Sequence, residues 1–272
     1  NLVLKRKKGN LSAELFEKAV SDIDDKDMRI VFSGAGEPLL NSELKKMLKS
    51  TSGFCTTLQT SLQVMPDDDF PYEAVDHIRI SIDADVKSSF ERLRKGCSWQ
   101  NIESFIEKVS KLKKAYDSRF PEIGLDFLRR GISEADILPF MKKWKKLCKP
   151  VFKGDFFRWP YDEKPDKISW YQISGQSAFC GSSKNTSTVS FEPFRRRPCK
   201  NAFDLTILSD GRVTGCPYDA EGNYFYLGNL KDNSLMEIWN SQIASNWREK
   251  HLLIKLNKDC YCKNCHDWYN MF

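Results

Sequence analysis

The 272-residue sequence lacks the features that would place it in a membrane or outside the cell. It has no apolar run of about 18 residues or more, the length that a membrane-spanning helix needs. Its start has no apolar stretch followed by a small-residue cleavage site, so no signal peptide is predicted. We therefore expect a cytoplasmic protein without a membrane partner. The hydrophobic fraction of 40% is typical of a soluble chain with one large domain and room for a small appendage.

A strong charge imbalance is also absent. Lys and Arg number 43 and Asp and Glu number 37, which gives a formal net charge of +6. The isoelectric point of about 8.7 lies below the value of about 9 that is typical of nucleic-acid-binding domains. The basic runs at 5–8, 142–146 and 194–197 are therefore interpreted as solvated surfaces, and nucleic acid is not expected as a partner.

Histidine is scarce in this sequence, whereas cysteine is abundant. The three histidines are scattered along the chain, which predicts structural roles for them. The nine cysteines have an odd count and uneven spacing, which argues against a disulfide framework. Five of them lie within 199–272. Because clustered cysteines without a secretory signal more often bind metal, the C-terminal part is a candidate metal-binding module.

Strand and helix patterns alternate over the first two thirds of the chain. The predicted helices cover 11–23, 42–50, 88–95, 99–116 and 133–148, and the predicted strands cover 28–33, 54–61, 77–83, 123–131 and 150–159. Ser12 is predicted to cap the first helix. Such alternation is typical of right-handed parallel βαβ units, so we expect an α/β barrel or a doubly wound sheet.

The composition changes in the last 40% of the chain. Residues 161–198 are rich in Pro, Gly, Ser and Thr, which predicts a linker or a crossing segment. The stretch 205–218 predicts a β-hairpin, because Ser-Asp-Gly joins two alternating runs, and 233–251 predicts one amphipathic helix. We therefore expect an α/β domain at 1–160 and a small cysteine-bearing module at 199–272.

Four C-terminal cysteines have a spacing that suits a metal. Cys199 and Cys216 flank the predicted hairpin, and Cys262 and Cys265 form a CxxC turn that brings two thiolates together. Four thiolates suit zinc or an iron–sulfur cluster. Spacing alone favours zinc, and Cys260 is an alternative ligand to Cys262.

A glycine-containing turn follows the first predicted strand, in the stretch VFSGAGEPLLN at 31–41. Gly34 and Gly36 stand where this strand ends, and glycine there lets the backbone approach a ligand without an intervening Cβ. In a barrel of strand–helix units, active sites form at the carboxyl ends of the strands. We therefore expect a ligand at this turn.

Three blocks of the sequence resemble one known family. FSGAGEPLLN resembles the motif after the second strand of radical S-adenosylmethionine (SAM) enzymes, and ISIDADVKSSFERLRKG at 80–96 resembles their fourth strand and following helix. The segments from CKNAFDLTILSDGRVTGCPYD to CKNC resemble the C-terminal iron–sulfur extension called SPASM, or twitch in its short form. The blocks occur in the family's order and cover almost the whole chain.

The resemblance implies an α/β fold, a partial (β/α)6 barrel similar to a TIM barrel and lacking its first strand in this sequence. A small C-terminal module of β-hairpin and helix would follow it. The short twitch form fits, because the sequence leaves no room for the further cysteines of the long form. In that form Cys199, Cys216, Cys262 and Cys265 would hold one auxiliary [4Fe–4S] cluster.

The family's CxxxCxxC motif, which binds the cluster that cleaves SAM, does not occur in these 272 residues. In relatives it lies in the loop after the first strand, shortly before a basic segment similar to KRKKG at 5–9. We therefore expect a second [4Fe–4S] cluster from residues upstream of Asn1. A polypeptide of this sequence alone is expected to be catalytically inactive.

The resemblance also implies which residues bind SAM. Backbone groups of the GxGE turn would line the methionine amino and carboxylate groups, and Ala35 stands where relatives usually have a glycine. Arg94 would meet the SAM carboxylate with its planar guanidinium group; a solvated helix charge is the alternative. The implied SAM-binding residues are Ser33, Gly34, Ala35, Gly36, Glu37, Ser61, Ser81, Asp83 and Arg94.

The implied activity is abstraction of a hydrogen atom by a 5′-deoxyadenosyl radical, from a small sugar-like or peptide substrate. We expect oxidation of the substrate, because a cluster with four thiolate ligands has no open site and would accept an electron. A flavodoxin or ferredoxin would supply electrons, and no catalytic residue is singled out. The alternative is a non-catalytic α/β binding protein with a structural four-cysteine zinc module.

Overall fold

The computed structural model describes residues 7–34, 36–82, 84, 86–118, 121–128, 139, 142, 151–153, 156–158, 170–174, 198–256 and 262. The chain forms two compact units. Residues 26–176 make up the first, here called the sheet unit, and residues 1–25 with 177–272 make up the second, here called the cysteine-rich unit. None of the described helices is both long enough and apolar enough to cross a membrane.

The described helices and strands follow the predicted alternation. The helices are α1 (Ala13–Ser21), α2 (Leu44–Lys49), α3 (Lys87–Leu93), α4 (Trp99–Ala115), α5 (Leu235–Asn240) and α6 (Gln242–Leu252). The strands of the sheet unit are β1 (Arg29–Phe32), β2 (Cys55–Thr60), β3 (His77–Ser81), β4 (Glu122–Leu128), β5 (Val151–Lys153), β6 (Phe156–Arg158) and β7 (Trp170–Ser174). Those of the cysteine-rich unit are β8 (Thr206–Ile207), β9 (Arg212–Thr214) and β10 (Tyr226–Asn229).

The sheet unit is built on a five-stranded parallel sheet with the order β1-β2-β3-β4-β7. The predicted α/β class and parallel sheet are thereby confirmed. Because all five strands run in the same direction, their carboxyl ends meet at one edge of the sheet. The residues that follow β1, β2 and β3 therefore lie along a single edge.

Apolar residues at alternate strand positions bury one face of this sheet. Ile78, Ile80 and Ile82 are fully buried in one core with Phe90 of α3 and Phe105 of α4. Helix α4 places its apolar residues three and four positions apart, as a helix packed on a sheet requires. Since side chains alternate along a strand, the intervening residues of β3 lie on the opposite face.

Two elements of the sheet unit differ from the sequence prediction. The predicted strand at 150–159 consists of the antiparallel strands β5 and β6, with Lys153 opposite Phe156. The two residues between them, Gly-Asp, form a sequence signal for a hairpin that should have been recognised. The fifth strand of the parallel sheet is β7, inside the segment that was predicted as a linker. The predicted helix at 133–148 lies outside the described residues, apart from 139 and 142, which are helical.

The cysteine-rich unit contains a three-stranded antiparallel sheet with the order β10-β9-β8. The predicted hairpin at 205–218 is present as β8 and β9. The single predicted helix at 233–251 is divided into α5 and α6 at Ser241. Ser241 has an extended backbone (φ −63°, ψ 154°), and its hydroxyl accepts a hydrogen bond of 3.2 Å from the amide of Ala244. It therefore ends one helix and caps the next.

Helix α1 packs in the cysteine-rich unit. Ser12 caps it as predicted, since its hydroxyl accepts a hydrogen bond of 3.3 Å from the amide of Leu15. Ala19 of α1 is buried in one core with residues of β9, β10, α5 and α6. The carboxylate of Asp22 accepts a hydrogen bond of 2.9 Å from the amide of Leu235, which is 213 residues away in the sequence. Both ends of the described chain therefore contribute to one core.

Candidate functional site

The turn after β1 leaves open space at both of its glycines. Gly34 has a φ of +143°, a backbone conformation that residues with a Cβ rarely adopt. A Cβ built on Gly34 or on Gly36 would meet no atom of the described residues within 4 Å. Both glycines and Ser33 are exposed at the carboxyl edge of the parallel sheet. The turn can therefore accept a ligand against its backbone.

The carboxylate of Glu37 ties this turn to the end of β2. Its Oε2 atom accepts hydrogen bonds from the amide (2.8 Å) and the hydroxyl (2.7 Å) of Ser61. Its Oε1 atom accepts from the hydroxyl of Thr60 (2.8 Å) and from the amide of Leu39 (3.1 Å). The Glu37 side chain thus holds the turn in place and leaves ligand contacts to the backbone around it.

Of the other predicted SAM-binding residues, the structure describes Ser81 and Arg94. Ser81 ends β3 at the same edge of the sheet as Ser61 and is 8% exposed. Arg94 follows α3, where its carbonyl accepts a hydrogen bond of 3.1 Å from the amide of Cys97, and its side chain is half-buried. Ala35 and Asp83 lie outside the described residues. Their contacts to SAM stay predictions.

A charged pair that the sequence did not single out lies near this edge. Nη2 of Arg79 is 2.9 Å from Oδ1 and 2.8 Å from Oδ2 of Asp126. Asp126 is the register partner of Ser81 across β3 and β4, so all three residues share the face opposite the helices. The alternation in HIRISID, with Arg79 in phase with Ser81, was the signal that could have identified this polar face.

Two of the predicted cysteine ligands belong to one buried cluster in the cysteine-rich unit. Cys216 and Cys262 are each 7% exposed and cluster with Phe225. Cys199 is half-buried and immediately precedes a short 3-10 helix (Lys200–Phe203) that contacts α6. Cys260 and Cys265 lie outside the described residues. Within the described part, no three His, Cys, Asp or Glu side chains converge on a metal position.

The loop that carries Cys216 is held by buried hydrogen bonds. The Thr214 hydroxyl donates to the carbonyl of Cys216 (2.8 Å) and accepts from its amide (3.3 Å). The carboxylate of Asp219, 3% exposed, accepts from the amides of Asn223 (3.2 Å), Tyr224 (3.0 Å) and Phe225 (2.8 Å). Cys216 and Phe225 are therefore positioned before any metal binds.

Helix α6 brings two nitrogen-bearing rings to this cluster. Nε2 of His251, a residue only 2% exposed, lies 3.9 Å from Sγ of Cys262. The ring of Trp247 packs against the same cluster and meets that of His251 edge-on, with centroids 4.3 Å apart. The sequence predicted only a structural role for the histidines. The spacing of four residues between Trp247 and His251, which places both on one helix face, was the available signal.

The last part of the chain matches a known family. Residues 199–266 match the family model of SPASM, an iron–sulfur cluster-binding domain. The matched segment contains all five cysteines that the sequence predicted as metal ligands, and the predicted SPASM-type module is thereby confirmed. The comparison with curated proteins found no match to this chain.

Solved structures show which fold the chain is similar to. BtrN in complex with AdoMet and 2-DOIA has a TM-score of 0.55 and 13% identity, over 97% of this chain and 84% of that one. Native anSMEcpe with bound AdoMet has a TM-score of 0.55 and 15% identity, over 97% and 80%. Streptococcus suis SuiB bound to the precursor peptide SuiA has a TM-score of 0.63 and 12% identity, over 97% and 65%. The chain shares the fold of these proteins, as its resemblance to radical SAM enzymes predicted.

Proposed function

We propose that this chain is the SAM- and substrate-binding part of a radical SAM enzyme, with an auxiliary iron–sulfur cluster in its C-terminal module. The observation that carries the proposal is the match of residues 199–266 to an iron–sulfur cluster-binding domain. That match occurs in a chain whose parallel sheet ends in an open glycine turn. Two structures of similar fold were determined with AdoMet bound.

SAM would bind at the carboxyl edge of the parallel sheet. Backbone groups of Ser33, Gly34 and Gly36 would contact its methionine end, because no described side chain occupies the space in front of the two glycines. Glu37 would keep these backbone groups in position through its bonds to the end of β2. A SAM-cleaving [4Fe–4S] cluster would supply one electron, which would split SAM into methionine and the 5′-deoxyadenosyl radical that abstracts hydrogen from the substrate.

The substrate would be polar. The face of the sheet opposite the helices carries Arg79, Ser81 and Asp126 close to the proposed SAM-binding edge. Such side chains offer hydrogen bonds to hydroxyl, amine or amide groups and would leave an apolar substrate without matching contacts. Both a small sugar-like molecule and a peptide meet this requirement. The similar structures include one with 2-DOIA and one with a precursor peptide.

The C-terminal cysteines would hold an auxiliary cluster that would supply an acceptor for one electron, and the overall reaction would then be an oxidation of the substrate. The proposed ligands of this cluster are Cys199, Cys216, Cys262 and Cys265, with Cys260 as the alternative. The described residues fit such a cluster, because Cys216 and Cys262 are buried together and the loop that carries Cys216 is preorganised. The buried Nε1–H of Trp247, which contacts no acceptor among the described residues, also suits a sulfur-rich group. A flavodoxin or ferredoxin is the proposed electron donor.

Iron and sulfide analysis after anaerobic reconstitution tests this function. The 272-residue chain should bind about four irons and about four sulfides, as one [4Fe–4S] cluster requires. A gene product that also carries a CxxxCxxC segment upstream of these residues, here called the extended gene product, should bind about eight irons and release 5′-deoxyadenosine from SAM. Zinc instead of iron in both polypeptides would contradict the proposal and support a structural zinc module.

We expect Gly36→Val to weaken SAM binding without unfolding the protein. The new side chain meets no described atom in the free protein, but it would occupy the space proposed for SAM. Calorimetric titration of the reconstituted, extended gene product should show an affinity at least about tenfold lower, which corresponds to about 1.4 kcal/mol.

Gly9→Val is the matched control for this experiment. Gly9 is also exposed, has open space at its Cβ position and lies away from the turn in the sequence. Its replacement should leave the SAM affinity unchanged. Equal affinities for wild type and Gly36→Val would show that SAM does not contact this turn.

A further inference from the structure

Trp247 carries a buried hydrogen-bond donor at the cysteine cluster. Its Nε1 atom is shielded from solvent, and no acceptor for it occurs among the described residues. A buried N–H group that stays without an acceptor destabilises the folded protein, so buried indole groups usually have one. An acceptor should therefore exist in the loaded protein.

The position of the indole shows where that acceptor lies. A Cβ built on Gly215 would be 2.5 Å from Nε1 of Trp247, so this nitrogen lies directly over the residue that precedes Cys216. Trp247 also packs against the cluster formed by Cys216, Phe225 and Cys262. The group proposed to bind beside these cysteines is rich in sulfur, and its sulfurs are the acceptors that we assign to this donor.

We propose that Trp247 donates an N–H···S hydrogen bond to the auxiliary cluster or to one of its cysteine sulfurs, and thereby raises the reduction potential of the cluster. This inference rests on the proposed function. A reduced cluster carries one more negative charge than an oxidised one, so a donor aimed at its sulfur stabilises the reduced form more. Trp247 would be a positioning and tuning residue, because it acts on the cluster and not on the substrate.

His251 supports the same assignment from the next turn of α6. Its Nε2 atom lies 3.9 Å from Sγ of Cys262, a distance that permits an N–H···S contact in the tautomer with a proton on Nε2. The edge-on packing of the two rings fixes the orientation of the Trp247 indole. Gly215 leaves the space that the indole occupies, because any larger residue there would displace it.

Replacement of Trp247 by phenylalanine tests the proposal on the reconstituted 272-residue chain. Phenylalanine keeps an aromatic ring and removes the donor. Potentiometric titration followed by electron paramagnetic resonance should show a lower midpoint potential for Trp247→Phe. We expect the ratio of reduced to oxidised cluster at a fixed potential to fall about tenfold, or about 59 mV for one electron. Trp239→Phe is the matched control, because Trp239 stacks with Arg248 outside the cysteine cluster and should leave the potential unchanged.

A second measurement needs no variant. Pulsed electron paramagnetic resonance of the reduced cluster, in protein with 15N-labelled indole, should detect a nitrogen coupling in wild type. Two results would overturn this inference and leave the proposed function standing. The first is a wild-type iron–sulfur cluster without the nitrogen coupling, and the second is a Trp247→Phe cluster with the wild-type midpoint potential. A wild-type chain that forms no iron–sulfur cluster would overturn both the inference and the proposed function.

Discussion

Replacement of Cys216 by alanine is expected to abolish cluster binding in the C-terminal module. Cys216 is buried beside Cys262, and its loop is held by Thr214 and Asp219, so its replacement removes a preorganised ligand. The proposed auxiliary cluster has four thiolate ligands, and loss of a preorganised one should reduce the iron content from about four atoms per chain to near zero. Iron and sulfide analysis after reconstitution measures this change.

Cys97→Ala is the control, because it removes a thiol that is not a proposed cluster ligand. Cys97 is half-buried and packs against the core of the sheet unit, so its replacement should leave the iron content unchanged. Circular dichroism of Cys216→Ala should retain the wild-type helix content, because the parallel sheet and its helices do not depend on this residue. A Cys216→Ala protein with the full iron content would remove Cys216 from the set of ligands.

Replacement of Glu37 by alanine is expected to cause a large loss of folding stability. The carboxylate accepts four hydrogen bonds, two of them from Ser61, and its removal leaves these donors at the end of β2 without their acceptor. Each buried hydrogen bond to a charged group contributes about 1.5–3 kcal/mol to stability. Because Glu37 is only half-buried, water can replace part of these hydrogen bonds in the variant. We expect the free energy of unfolding to fall by about 2–4 kcal/mol.

Urea-induced unfolding followed by tryptophan fluorescence measures this change in stability. Glu73→Ala is the matched control, because Glu73 is exposed in a short 3-10 helix of the same unit and should change the stability by less than about 0.5 kcal/mol. SAM affinity of the reconstituted, extended gene product should fall as well, since Glu37 positions the glycine turn. An unchanged urea midpoint would contradict this prediction, because it would show that water replaces the four hydrogen bonds of Glu37 without loss of stability.

The alternation of strands and helices could be predicted from the sequence because each element has a strong local pattern. Helix α4 places apolar residues three and four positions apart, and β3 alternates Ile78 and Ile80 with polar residues. Two predictions were wrong where the local sequence signals conflicted. Ser241 was read as part of one helix, although serine is a preferred N-cap, and β7 was missed because it is short and lies in a segment of polar composition.

The candidate sites could be predicted in part only, because several of their contacts join residues distant in sequence. The glycines at 34 and 36 are visible in the sequence as a turn, but nothing local to Glu37 indicates its bonds to Thr60 and Ser61. The proximity of Trp247 and His251 to Cys216 and Cys262 likewise depends on how α6 packs. Local patterns predict elements, whereas such contacts arise from tertiary packing.

The packing of α1 on α5 has a consequence for how the protein is made. The core that contains Ala19 also contains Leu235 and Ala244, so it cannot be completed until the ribosome has released residues near 244. At about 5–20 residues per second, roughly 10–45 seconds pass between synthesis of α1 and of its partners. During this time the apolar side of α1 has none of those partners. The cysteine-rich unit would therefore complete its core only after the whole sheet unit, residues 26–176, has been synthesised.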